Sequence, residues 1–306
     1  MSALRRLEGI ALPGILRVLR LLPYSTSEGI LIGLSLGKTV YDHRRLRRAY
    51  AWAARGGAGT RSRRAVVLGL FVNRGRALAA SPFMALLDPE RARQRLEVRG
   101  LDHLEEARRR GGVILLGFHM GIIIIHRFLA LLGYEITAMG GSGWWHRVPS
   151  VDASWQAVRD RSPTHVWTEA PGSRADALYR VRQAALSGGI VMIMASGGQG
   201  RVLFDLPLPG RPLSVRAGWF VLRRATGLPT LPVLGHLEGG RRVVTIHPAL
   251  PAPDPDERRD RDACRATLNP ILEDFVARFP EQCVYLAMHI DVQPQSAPGV
   301  PSPEPS

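Results

Sequence analysis

The chain has 306 residues, 45% hydrophobic and 22% charged, which supports a folded core and excludes an intrinsically disordered chain. A formal net charge of +15 favours anionic partners: phospholipid head groups, phosphorylated sugars, acyl-carrier proteins, coenzyme A or nucleic acid. Lys38 is the single lysine, so arginine carries nearly all of the positive charge. Cys264 and Cys283 stand at a spacing that matches no metal or redox motif; they read as buried reduced thiols, which puts the chemistry on the reducing, cytoplasmic side.

Residues 1–40 read as an apolar, amphipathic segment that associates with membranes, residues 41–290 as one α/β domain, and residues 291–306 as a disordered Pro/Ser-rich tail. The apolar stretch Leu7 to Leu22 is interrupted by Pro13, Arg17 and Arg20, and a second runs from Gly29 to Gly37. Neither reaches the ~18–20 uninterrupted apolar residues of a spanning helix, and no signal-peptide cleavage site follows. Leu12, Ile15, Leu16, Leu19 and Leu22 recur at helical spacing, which suits a helix in the membrane interface and equally one packed on the core. Arg44 to Arg64 reads as an arginine-dense helical region. Its RRLRR run either touches anionic lipid, at about 1 kcal/mol per charge, or forms a solvated face. Asp88 to Arg110 reads as polar and helix-rich.

From Gly112 onward strand and helix alternate. Val113 to Phe118 is a continuous apolar run, the mark of a buried parallel strand, and Gly121 to Leu132 follows as a helix ended by Gly133. Tyr134–Met139, Thr164–Trp167, Ile190–Met194, Thr230–Leu234 and Arg242–His247 read as further strands. Helices are expected over Ala153–Arg159, Arg174–Leu186 and Asp256–Phe279, and over a segment capped by Ser214 that runs to Thr226. A Gly/Pro-rich loop joins Ala195 to Leu213. The expected fold is therefore an α/β sandwich around a mostly parallel sheet, with N-terminal helices at a membrane interface.

Ligands of such sheets gather at the carboxyl ends of the strands. Two loops stand there. In GFHMG (Gly117 to Gly121), His119 leaves a buried strand near helix-terminal amides, where it is able to take a proton from a bound hydroxyl; the alternative is a histidine that satisfies local backbone. In ASGGQGR (Ala195 to Arg201), the glycines let amides approach an anion and Arg201 is placed to clamp a phosphate. No G-K-[ST] follows, so this is not a Walker loop, and neither Ser142 nor Ser196 sits in a G-x-S-x-G elbow. The nine histidines are scattered without an H-x-x-x-H or H-x-x-E-H pair, and neither a metal nor a cofactor is expected.

Three segments carry a resemblance. VRGLDHLEEARRRGGVILLGFHMG (Val98 to Gly121) resembles the entry to the catalytic motif of the bacterial lipid A late acyltransferases, the lauroyl and myristoyl transferases of the lysophospholipid acyltransferase superfamily. GRPLSVRAGWFVLRRATGLPTLPVLGHLEGGRRVVTIHPAL (Gly210 to Leu250) is similar to their second half, and FPEQCVYLAMHI (Phe279 to Ile290) to their C-terminal segment. The resemblance implies transfer of a fatty acyl group from acyl-carrier protein or acyl-coenzyme A to a hydroxyl of a membrane lipid or glycolipid, at the cytoplasmic face of the bacterial inner membrane. It also implies His119 as general base and an acid five residues later to orient it. Position 124 is Ile124, inside the run Ile122 to Ile125, and Ser196, Gly197 and Gly198 stand where a second acid is expected. Such an acid is worth orders of magnitude in rate. Glu169 and Asp205 are candidate replacements, and His126 is a further neighbour or a packing residue.

Gly121, Arg147, Gly200, Arg201 and Arg211 are the residues expected to contact substrate, with Trp144 and Trp145 in an acyl-lining or packing role. An active acyltransferase with an altered catalytic pair is the leading expectation. A catalytically inactive relative that binds lipid or carrier protein is the second. Nucleic acid is not an expected partner, because charge alone supports it.

Overall fold

A computed structural model of the protein describes residues 18–19, 21–37, 39, 42–83, 93–122, 124–140, 165–167, 173–196 and 200–288. In chain order its helices and strands are α1 (Tyr24–Gly37), α2 (His43–Trp52), α3 (Arg63–Phe83), β1 (Leu96–Arg99), α4 (Leu101–Arg108), β2 (Val113–Gly121), α5 (Ile125–Leu131), β3 (Ile136–Gly140) and β4 (His165–Trp167). They continue with α6 (Ser173–Leu186), β5 (Ile190–Met194), β6 (Val202–Leu206), β7 (Leu213–Arg216), α7 (Gly218–Thr226), β8 (Thr230–Glu238), β9 (Arg241–Ile246), α8 (Glu257–Arg278) and α9 (Val284–Met288).

Seven strands form one sheet in the order β1-β9-β8-β2-β5-β3-β4. All neighbouring pairs are parallel except β8 and β9, a hairpin turned by Gly239 and Gly240, both at positive φ. The expected mostly parallel sheet is thus present. β2 lies at its centre and alternates between two apolar layers. Ile114, Leu116, Phe118 and Met120 enter the larger core with Trp219, Phe220, Leu268, Leu272 and Leu286. Val113 and Leu115 enter the other with Leu104, Phe128, Leu129, Leu231 and Val244. A strand buried on both faces explains why no polar residue interrupts the run before His119.

Four expectations need correction. The helix read from Gly121 begins only at Ile125, because β2 runs on through Gly121, which pairs with Gly235 of β8. The Ile122 N–H donates to the Gly235 carbonyl at 2.7 Å, so the first isoleucine of the run extends the pairing rather than opening a helix. Ser214 does not cap a helix: it lies in β7, its hydroxyl donates to Asp205 across the β6–β7 ribbon at 2.6 Å, and α7 starts at Gly218. The loop after Ala195 consequently contains strand β6. The polar stretch before Arg110 contains the edge strand β1, half-buried and parallel to β9.

The expected long C-terminal helix holds. Asp256 caps α8 by accepting from the N–H groups of Arg258 (2.8 Å) and Arg259 (3.1 Å), and the helix buries Asp260, Cys264, Leu268 and Leu272 at four-residue spacing. Arg223 of α7 is buried against Asp260 and also donates to the Pro251 carbonyl, which ties α7 to α8. Ala153–Arg159 lies outside the described residues, as does most of the Leu7–Leu22 stretch. Within that stretch Leu19 is buried and Leu21 is 85% exposed. Helix α1 packs on α3 through small residues: the Ser35 hydroxyl donates to the Phe71 carbonyl at 2.8 Å, and a Cβ on Gly75 would lie 2.6 Å from Ile32 Cα. Among the described residues no helix is long and apolar enough to cross a membrane.

Gly121 has φ +62, and a Cβ there would sit 2.0 Å from the Gly235 carbonyl oxygen. Gly59 has φ +55 but open space around it. Gly121→Ala is therefore expected to cost roughly 3–5 kcal/mol, from strain plus overpacking, whereas Gly59→Ala costs about 1–2 kcal/mol from strain alone. Urea denaturation of the two variants checks this; equal losses would refute the close approach.

His236, on β8, is buried with its ring stacked on Phe279 at 4.1 Å. Burial holds its pKa below the ordinary value, only partly offset by Glu238 at 3.6 Å, and burial does the same to His247. Below about pH 6.5 the unfolded chain takes protons that these folded imidazoles refuse. Stability is therefore full above that pH and falls as the pH drops through the folded values. Urea midpoints between pH 7.5 and 5 should decline on acidification, with a shallower decline in His236→Gln.

Candidate functional site

Parallel register brings His119 and Ser196 together. Gly117 of β2 pairs with Met194 of β5, so residues two places beyond each partner emerge side by side at the carboxyl end of the sheet. On the other side of β2, Gly117 pairs with Val233 and Gly121 with Gly235, so four steps along β2 match two along β8. The surplus is a bulge over Phe118, His119 and Met120, a device that re-aims side chains beside functional sites. The chain after β5 is pinned by two backbone bonds, from the Ala195 N–H to the Gly117 carbonyl (2.8 Å) and from the Arg216 N–H to the Ala195 carbonyl (2.7 Å).

Ser196 is buried, and its hydroxyl oxygen accepts from the His119 backbone N–H at 2.7 Å. The same oxygen lies 3.2 Å from His119 Nδ1. On its face the imidazole stacks with Tyr285 of α9, centroids 4.8 Å apart at 28°. Sequence reasoning weighed Ser196 as a nucleophile and as the occupant of the expected second acid's place, and missed Tyr285. The signal for Ser196 was its position two residues past a buried strand, the same offset as His119.

Tyr285 is placed from a distance. The Gln282 side chain accepts from the Leu237 N–H and donates to the Leu237 carbonyl, both at 2.8 Å, acting as one more strand residue on β8. A Pro280–Gln282 turn and α9 follow directly, so this amide fixes the helix that carries Tyr285. Burial pushes the Tyr285 hydroxyl up, against the opposing pull of Arg216 and Arg211.

A cavity of 480 Å³ opens beside α9, lined by Arg48, Trp52, Arg55, Asp205, Arg211 and Ser214, with Leu286 and Ala287 as its α9 wall. Burial pushes the Arg211 guanidinium below its ordinary pKa; Tyr285 works against this and the charges of Arg48 and Arg55 add to it. Arg211 is thus the expected contact residue that the fold carries into a cavity. Asp205 lines the same cavity and is bonded to Ser214, rather than set against His119 as a replacement acid.

The other expected residues are spread out. Arg201 is exposed and does not line the cavity; its carbonyl accepts from the Ala217 N–H at 2.9 Å. Gly200 is exposed at φ +88, and its carbonyl accepts from Arg216 at 3.0 Å. Gly121 serves the close approach to Gly235. Ile124 packs against the smaller apolar core, and His126 follows in the first turn of α5. Arg147, Glu169, Trp144, Trp145 and Ser142 lie outside the described residues. Among the described residues no three His, Cys, Asp or Glu side chains gather as a metal site would need.

No curated protein matches the chain. The model of the family described as bacterial lipid A biosynthesis acyltransferase matches residues 5–289. Since that match takes in every strand of the sheet, the His119 bulge and the α9 segment that stacks on it, the chain belongs to the bacterial lipid A biosynthesis acyltransferase family.

Proposed function

We propose that the protein moves a fatty acyl group from a carrier thioester to a hydroxyl of a membrane lipid or glycolipid, with His119 as general base. The observation that carries this reading is the Ser196 hydroxyl beside both the backbone N–H and Nδ1 of His119. Hydroxyl oxygen has two lone pairs; one takes the backbone N–H and the second is available to an Nδ1–H. An Nδ1–H donated to that oxygen goes with the tautomer that carries its lone pair on Nε2, the form a general base needs. Nε2 then takes the proton of the acceptor hydroxyl as its oxygen attacks the thioester carbonyl. Collapse of the tetrahedral intermediate breaks the C–S bond, and the leaving thiolate recovers the proton from the imidazolium.

A hydroxyl orients an imidazole but brings no negative charge to stabilise its cation, so Ser196 replaces only part of what a carboxylate supplies. Ile124, packed in an apolar layer where the family resemblance implies an acid, favours a second reading: an acyltransferase fold kept for binding lipid or carrier protein. Acyl transfer from acyl-carrier protein and from acyl-coenzyme A into a panel of lysolipids and glycolipids separates the two. Transfer by the native protein should fall about 10²–10⁴-fold in His119→Ala. Ser196→Ala should lower kcat about tenfold or more with little change in KM, and shift the acidic limb of the pH profile. Full activity in His119→Ala would end the proposal. Silence in the native protein with activity in Ile124→Glu would establish the binding reading.

A peripheral seat on the cytoplasmic face of the inner membrane belongs to the same proposal. It is supported by apolar side chains turned outward on the N-terminal helices: Ile30 and Leu34, one turn apart on α1, are 39% and 44% exposed, and Leu68 on α3 is 56% exposed. Replacing Ile30 and Leu34 with Asp should weaken binding to anionic vesicles by about tenfold or more in a flotation assay; unchanged flotation would refute this contact.

A further inference from the structure

The cavity beside α9 has features that the proton-transfer chemistry at His119 does not use. Arg48 and Trp52 stand one turn apart on α2 and Arg55 follows just beyond it, and all three line the cavity. The helix there passes into a π turn over Ala53–Gly57 that ends α2 with Gly56 at φ +103, an irregularity found often at functional sites. The Trp52 indole is seated between two glycines: a Cβ on Gly57 would lie 2.3 Å from its Cε2, and one on Gly210 would lie 2.7 Å from its Nε1. Arg211 comes from the β6–β7 connection, immediately after Gly210.

Three guanidiniums face a single carboxylate, Asp205, among the lining residues, and that carboxylate is engaged by Ser214. Arg48 Nη1 and Trp52 Nε1 are buried donors with no acceptor among the described residues. Buried donors normally have a partner, and a charged one without a partner is costly. With three guanidiniums in its lining, the cavity suits anionic oxygens supplied from outside.

We propose that the cavity is a phosphoryl subsite, in which Arg48, Arg55 and Arg211 bind the phosphate oxygens of a substrate whose reacting end lies at His119. Its volume suits a phosphorylated head group or the phosphate end of a carrier arm. Tyr285 joins the two places, since its ring stacks on His119 while the next two residues, Leu286 and Ala287, wall the cavity. Guanidinium pairs recognise phosphate in a bidentate way that an aliphatic or thioester group cannot exploit. The inference rests on the acyltransferase reading for its choice of substrate, while the binding itself stands apart from any transfer.

Isothermal titration of the full chain with pyrophosphate tests it. Saturable binding at one site is expected, about tenfold weaker in Arg48→Gln, in Arg55→Gln and in Arg211→Gln. Asp205→Asn should bind more tightly, because a repelling carboxylate is gone. Arg241→Gln, at the start of β9, should bind like the native chain, and each variant's unliganded melting temperature verifies its fold. His119→Ala should bind pyrophosphate normally even where transfer is lost, so failure of the subsite and failure of the proposed chemistry give different results. Competition then names the source: displacement of pyrophosphate by coenzyme A assigns the phosphate to the acyl donor, and displacement by glucosamine 1-phosphate assigns it to the acceptor. No saturable binding, equal binding in the native chain and the three arginine variants, or displacement by neither competitor would overturn the proposal.

Discussion

Parallel pairing of β2 with β5, with Gly117 opposite Met194, is the constraint on which the rest of the site depends. Strands of one direction and fixed register deliver residues of equal offset to the same edge of the sheet, and a slip of one residue would turn every side chain to the opposite face. His119 and Ser196 meet for that reason, although 77 positions separate them. The β2 bulge then frees the His119 amide from the ladder, and the Ser196 hydroxyl satisfies it. One oxygen thus completes the backbone and sits against the imidazole, so the stability of the strand end and the orientation of the ring are linked.

The close approach of β2 to β8 plays the matching role on the other flank. Gly121 and Gly235 leave no space for a side chain between the strands, and this contact carries β2 beyond its bulge. β8 is held in turn at Leu237 by Gln282, whose amide stands in for a strand neighbour and fixes α9. Tyr285 and the wall of the arginine cavity follow from that single anchor. Histidine, cavity and C-terminal segment therefore form one mechanical unit, although their residues come from opposite ends of the domain.

The departure from the family pattern at Ile124 also acquires a physical account. Ile122 continues the strand pairing, Ile125 is fully buried, and Ile124 fills the smaller core beside it. The isoleucine run is packing material. A carboxylate at this partly buried position would lose part of its hydration, a cost that isoleucine does not carry. Ser196 gives the histidine a hydroxyl partner and Tyr285 an aromatic face, and a hydroxyl is a weaker electrostatic partner than a carboxylate.

The α/β class, the buried parallel strand before His119, the Asp256-capped helix and the family resemblance were all legible in the sequence, because hydrophobic period, capping residues and motif order are local properties of a chain. Arg48, Trp52 and Arg55 were also written there at helical spacing, but a charge run by itself does not say which arginine faces solvent. Asp205 and Ser214 show the limit most plainly: the serine looked like a helix cap until the β6–β7 ribbon paired its hydroxyl with the aspartate. The partnership of Ser196 with His119, the stacking of Tyr285 and the gathering of Arg48, Arg55 and Arg211 were decided only by tertiary structure. Each depends on the register of strands far apart in sequence, and register is set by packing both faces of the sheet at once, which no local window of the chain contains.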